Sequence, residues 1–223
     1  SNYKTVFFTL GILQIILGLS MIVPILAQIF YNQIDSGFIS SAVVTIIFGV
    51  LFFLSNLDHN KKLTLPQAFL LTSLSWLSIA IFGSLPFIFS NIELSITDAF
   101  FESMSGITTT GSTIITNLNE TPKAILLWRA MLQWLGGIGI IVMAITLMPI
   151  MNIGGMQLFM ISTSNTPEKI LPKSKEISIR LILVYLTLTV ACAVFYKIFG
   201  MGFFDSIVHS MTTIATGGFS NYN

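Results

Sequence analysis

The sequence predicts an all-α polytopic membrane protein, with a two-helix leader and then units of membrane helix, re-entrant pore helix and membrane helix. One unit is complete and a second is truncated. Three observations carry this reading. Of 223 residues, 54% are hydrophobic and 9% charged, where a soluble domain has about a quarter charged. A mean hydropathy of +0.88, with 19 Phe and 10 Met, leaves more apolar surface than one core of this size can bury, so lipid must solvate much of it. Finally, a short segment too polar and too brief to span recurs at an offset of 107 residues.

The elements follow from where charges interrupt the apolar runs, since about 20 helical residues cross a bilayer core. Residues 5–34 and 36–57 are uncharged, with Asp35 and Gly37 at the turn between them, and form a helical hairpin. Lys4 precedes the first run, which is far longer than a signal-peptide core and has no small-residue cleavage site. Residues 63–92 are the third span, opened by Pro66, a residue tolerated only in a first helical turn. The fourth starts at Thr121 and Pro122, as N-cap and first helical residue, and runs through Trp128 to Met151. The fifth covers 177–199. The resulting organisation is a leader (1–62), a first repeat (63–153), a cytoplasmic connector (154–176) and a second repeat (177–223) that stops after its turn. Ser1-Asn2 is not a natural start, so the chain is read as a fragment.

Orientation follows from lysine and arginine placement. Lys4, Lys61, Lys62, Lys169, Lys173, Lys175 and Arg180 fall on one side, which is cytoplasmic; Lys123, Arg129 and Lys197 lie near the other. The outer side holds Asp35, Glu93, Asp98, Glu102, Glu120 and Asp205, a face attractive to cations. The basic cluster from Lys169 to Arg180 serves this rule or binds anionic lipid or a cytosolic partner. A net charge of +1 offers no basic patch for nucleic acid, and the single Cys192 excludes a disulfide framework or cysteine metal site.

Between the third and fourth spans, Ser95 followed three residues later by Asp98 resembles a capping box, with the acid on the positive end of the helix dipole. The short helix then meets Thr108, Thr109, Thr110, Gly111, Ser112 and Thr113, poor helix material. Irregular backbone at membrane depth survives only when buried in protein or lining a wet cavity. There, threonine and glycine offer carbonyl and hydroxyl oxygens that can replace an alkali cation's hydration shell. An ordinary polar outer loop is the plainer alternative. The second copy shifts the balance. Asp98 aligns with Asp205, Ser103 with Ser210, Met104 with Met211, Thr109 with Thr216 and Gly111 with Gly218. Both copies enter from outside, unlike inverted-repeat transporters, and one and a half units cannot close a pore.

The run from Trp128-Arg129 through Gln133-Trp134-Leu135-Gly136-Gly137 to Gly139, the run 154–159, Gly202-Phe203-Phe204-Asp205 and Thr216-Gly217-Gly218-Phe219-Ser220 together closely resemble the membrane subunit of the Trk potassium uptake system, in the Trk/Ktr/HKT cation transporter superfamily. The resemblance covers nearly the whole chain. It implies four membrane-loop-membrane units around one pore, a homodimer in the cell inner membrane, and gating by a cytosolic nucleotide-binding ring protein. Carried over, Thr108 to Thr113 and Ala215, Thr216, Gly217, Gly218, Phe219 and Ser220 are selectivity filters. Potassium, the transported ion rather than a cofactor, is held at Thr109, Thr110, Thr216 and Gly217, and Asp98, Glu102, Arg129 and Asp205 support the filter. Sodium or mixed cation passage, or a nonconducting scaffold, are the alternatives.

Several residues keep two readings. Arg129, about two turns into its span, must snorkel, pair with Glu102 or act on ions directly. Gly136, Gly137 and Gly139 permit close helix contact or a hinge. His209 is a hydrogen-bonded structural residue or a pH sensor, and His59 is solvated. Two histidines 150 positions apart and no acid within the long spans leave no hydrolase constellation, so the chain is not read as an enzyme.

Overall fold

The first uncharged run forms not one straight helix but two. In the computed structural model, which describes residues 3–58, 63–92, 94–151 and 170–222, α1 (Lys4–Ser20) gives way at Met21 to α2 (Ile22–Phe30). The cause is Pro24. It has no N–H for the carbonyl of Ser20 and its ring crowds that carbonyl. The ladder tightens instead, with the Met21 N–H donating to Gly18 O at 3.2 Å. Together α1 and α2 still make one span of 27 residues. The chain then turns through Asn32, at φ 53°, and Asp35 Oδ1 accepts the Gly37 N–H at 3.2 Å. Helix α3 (Gly37–Ser55) returns antiparallel to α1. The two backbones nearly touch: a Cβ on Gly11 would stand 2.6 Å from Phe53 N. In lipid, which offers no hydrophobic drive between helices, close packing of small residues holds such a pair together.

Helix α4 (Leu65–Phe89) opens with a capping box in which Gln67 Oε1 accepts the Thr64 N–H at 2.9 Å. The short helix α5 (Ile96–Ile107) follows. Next comes α6 (Lys123–Met151), which starts one residue later than expected because Pro122 caps it, its carbonyl accepting from Ile125 and Leu126. Helix α7 (Ile170–Ile198) begins ahead of the expected span, whose membrane-long part is Glu176–Ile198. Last is α8 (Phe203–Ile214). Both bounds of α8 equal those of α5 plus 107. His59, Lys61, Lys62, Glu93, the run 154–159 and Lys169 lie outside the described residues.

Among the described residues five helices are long and apolar enough to cross a membrane, and no strand interrupts them. Helix α6 is the internal one, with 61% of its most apolar window buried against 11% for α7. It contacts α2, α4, α5, α7 and α8. Its Trp128 meets Phe38 edge-on at 6.1 Å and donates its indole N–H to Gly83 O at 2.9 Å. Trp134 donates to Thr189 Oγ1 at 3.0 Å, and the Tyr185 hydroxyl donates to Trp134 O at 3.1 Å, tying α6 to α7. Gly136 and Gly137 serve packing. A Cβ on Gly136 would overlap the Ile107 carbonyl at the end of α5, and one on Gly137 would stand 2.5 Å from the Tyr185 hydroxyl. Gly139 has only Trp76 nearby, at 3.9 Å.

Candidate functional site

Helices α5 and α8 end in the same way. After Ile107 the Thr109 N–H donates to Gly106 O and the Thr110 N–H to Ser105 O, both at 2.9 Å; after Ile214 the Thr216 N–H donates to Thr213 O at 3.0 Å and the Gly217 N–H to Thr212 O at 2.9 Å. This is the Schellman arrangement, which needs a left-handed residue just past the cap. Glycine usually fills that place. Here it is threonine: Thr109 and Thr216 both have φ 56°, a costly conformation for a β-branched side chain. Two residues further, Gly111 and Gly218 both have φ 80°. Strain repeated at aligned positions is a built feature of the turn. The glycine pattern in the sequence pointed to Gly111 and Gly218; nothing in the residue types marked Thr109 and Thr216 as left-handed.

The turns are bent so that their backbone oxygens are left over. Among the described residues no hydrogen-bond donor reaches the carbonyls of Thr109, Thr110, Thr216 or Gly217. Other groups hold the turns in place. Ser105 Oγ donates to Ser112 O at 2.6 Å, and Thr108 Oγ1 donates to Met104 O at 2.7 Å. Beyond the turns the Ile115 N–H donates to Thr113 Oγ1 at 3.1 Å, and in the second copy the Tyr222 N–H donates to Ser220 Oγ at 3.0 Å.

Carboxylates brace the outgoing segment of each turn, but from positions one helical turn apart. In the first unit Glu102, wholly buried, accepts from the Thr113 hydroxyl at 2.9 Å and the Ile114 N–H at 2.9 Å. The aligned residue in the second unit is His209, so Asp205 is the brace there, accepting from Asn221 Nδ2 at 2.7 Å and the Tyr222 hydroxyl at 2.8 Å. Burial pushes the Asp205 carboxyl up, but those two hydrogen bonds, with Lys123 and His209 nearby, outweigh it and hold the group below its ordinary value of 3.8. The hydrogen bond to Asp205 in turn raises the Tyr222 phenol. His209 Nδ1 lies 3.0 Å from Asp205 O and must donate to it, and its ring stacks on Tyr222 at 6.1 Å. Asp98, aligned with Asp205, instead accepts from the Ser95 hydroxyl at 2.8 Å at the start of α5.

Arg129 and Glu102 are in contact, Nε to Oε1 at 2.6 Å, with both side chains buried. Arg129 does more than neutralise. Its Nη2 donates to Thr113 Oγ1 and its Nη1 to Ser220 O, both at 3.0 Å, and its guanidinium lies 4.2 Å from the centre of the Phe219 ring. One side chain therefore joins the outgoing segments of both turns. One helical turn further, Gln133 Oε1 accepts the Phe219 N–H at 3.2 Å. Its position in the first unit hid its link to a turn 86 residues away. The turns themselves meet at Gly111, where a Cβ would overlap the Gly217 carbonyl; a side chain there is excluded by space as well as by φ.

Long apolar helices, with two short helices that end in the same strained turn, define the chain as a polytopic membrane protein. The model of the TrkH family, described as a cation transport protein, matches residues 34–223. The chain is 39% identical over its whole length to the Trk system potassium uptake protein TrkH of Vibrio parahaemolyticus, covering 47% of that protein. It is 40% identical to TrkH of Escherichia coli K12, again over the whole chain and 47% of the relative. The crystal structure of the potassium transporter TrkH from Vibrio parahaemolyticus superimposes with a TM-score of 0.88 at 38% identity, covering all of this chain and 45% of that one. The chain belongs to the TrkH family of cation transport proteins and is a multi-pass membrane protein. It spans about half the length of the curated relatives it matches.

Proposed function

We propose that this chain supplies the first two of four filter units of a potassium uptake pore in the cell inner membrane. The observation that carries the reading is the pair of matching turns, left-handed at Thr109 and Gly111 and again at Thr216 and Gly218, with the carbonyls between them unclaimed by any donor among the described residues. Cation dehydration is offset when such carbonyls replace water, and their number and spacing set which ion gains most. Potassium would bind at the carbonyls of Thr109, Thr110, Thr216 and Gly217, and the negative C-terminal ends of α5 and α8 favour a cation beside them. Glu102, Arg129 and Asp205 are the braces, and Asp98 orders the start of α5. The relatives' names support potassium over sodium, and a homodimer with a cytosolic nucleotide-binding ring partner belongs to the same reading.

The test is potassium and sodium uptake by the complete protein in liposomes, with Gly111→Ser as the variant. A serine at φ 80° must also displace the Gly217 carbonyl, so the potassium-to-sodium ratio should drop while membrane insertion persists. An unchanged ratio removes the turn from the filter.

A further inference from the structure

Gln133 is wholly buried on α6. A backbone N–H can only donate, so the contact with Phe219 fixes which end of the Gln133 amide is oxygen. The other end, Nε2, is buried and has no acceptor among the described residues. Two glycines locate it. It lies 2.6 Å from where a Cβ of Gly217 would stand and 3.7 Å from where a Cβ of Gly111 would stand. Since a Cβ on Gly111 would also overlap the Gly217 carbonyl, Nε2 sits where the first turn meets the second. An unsatisfied buried amide is destabilising, and methionine would fill a similar volume without that cost. Apolar packing therefore does not account for glutamine at this place.

We propose that Gln133 is a specificity-determining positioning residue of the filter. Its carbonyl anchors the second turn at Phe219, and its amide N–H groups, with no acceptor of their own among the described residues, face the backbone where the two turns join and reach it through one water. This rests on the filter reading above. Discrimination in a carbonyl ring depends on how the dipoles are spaced, and Gln133 holds the spacing between two neighbouring units from behind. Without it each turn keeps its own hydrogen bonds to its helix, but the junction loosens and a smaller ion can be accommodated.

The experiment measures potassium and sodium uptake by the complete protein in liposomes, at matched amounts of folded protein. Gln133→Met removes the anchor and the donor at near-constant volume. Potassium uptake should persist while the potassium-to-sodium ratio falls at least about fivefold, the factor that about 1 kcal/mol of differential stabilisation produces. An unchanged ratio, or equal loss of both ions, overturns the proposal. If Gln133→Met does not fold, Gln133→Leu is read by the same ratio. Gly111→Ser run alongside separates the two failures. If it lowers the ratio and the Gln133 variants do not, only the positioning role falls; if it has no effect, the filter reading fails and takes this one with it.

Discussion

Removing either member of the Arg129–Glu102 pair strands a charge in a place with almost no water, since the two side chains are 1% and 0% exposed. Breaking a buried pair by deleting one partner costs about 3–5 kcal/mol, most of it the penalty for the charge left behind. The two deletions are not equivalent. Glu102→Gln leaves Arg129 with Ser220 O, Thr113 Oγ1 and the Phe219 ring. Arg129→Gln leaves Glu102 with the Thr113 hydroxyl and the Ile114 N–H, but takes a donor and a cation from the second turn. Each single variant should lose about 3–5 kcal/mol in the complete protein. The double variant, with no charge left to strand, should fall short of the sum by about 2–3 kcal/mol. Unfolding in mixed micelles at graded denaturing-detergent fractions measures all four corners of the cycle. High salt should leave the coupling intact, because buried pairs are little screened. Additive single effects would refute the coupling and reduce Arg129 to a donor for the second turn.

Gly136→Ala should cost about 1–3 kcal/mol, because its new methyl meets the Ile107 carbonyl and α6 must move off α5, whereas Gly139→Ala should be neutral or slightly stabilising; equal thermal stability for the two would refute the packing role of Gly136. Because folding lowers the Asp205 carboxyl below 3.8, its contribution to stability is present above that value and lost as pH falls through the lower, folded one. The stability gap between the native protein and Asp205→Asn should therefore be flat from pH 7 to 5, and a midpoint within that window would show that Asn221 and Tyr222 do not hold the carboxylate. In a Cys192→Ala background, cysteines at Asn91 and Asn119 should react with an impermeant thiol reagent from outside, and one at Ser174 only after permeabilisation, as the lysine asymmetry requires; the reverse pattern inverts the orientation.

The existence of each span was legible because it depends on composition over about 20 residues, and no tertiary contact can make so long an uncharged run soluble. The 107-residue offset read from the sequence also relates the bounds of α5 and α8, although only α5 opens on a side-chain cap, from Ser95. Pro24 was equally visible, yet an uncharged run says only that the chain crosses, not that it crosses as one helix. Only the tertiary structure showed that threonine rather than glycine takes the left-handed position after each short helix, since residue type gives a preference and the packed turn imposes a conformation. It also decided the brace exchange between Glu102 and Asp205, because hydrogen bonding follows distance in space and the aligned residue, His209, cannot accept as a carboxylate does. The reach of Arg129 and Gln133 from the first unit to Ser220 and Phe219 of the second was beyond any local pattern. Such contacts are set by how α6 lies between α5 and α8, and that arrangement is a property of all the helices packed together.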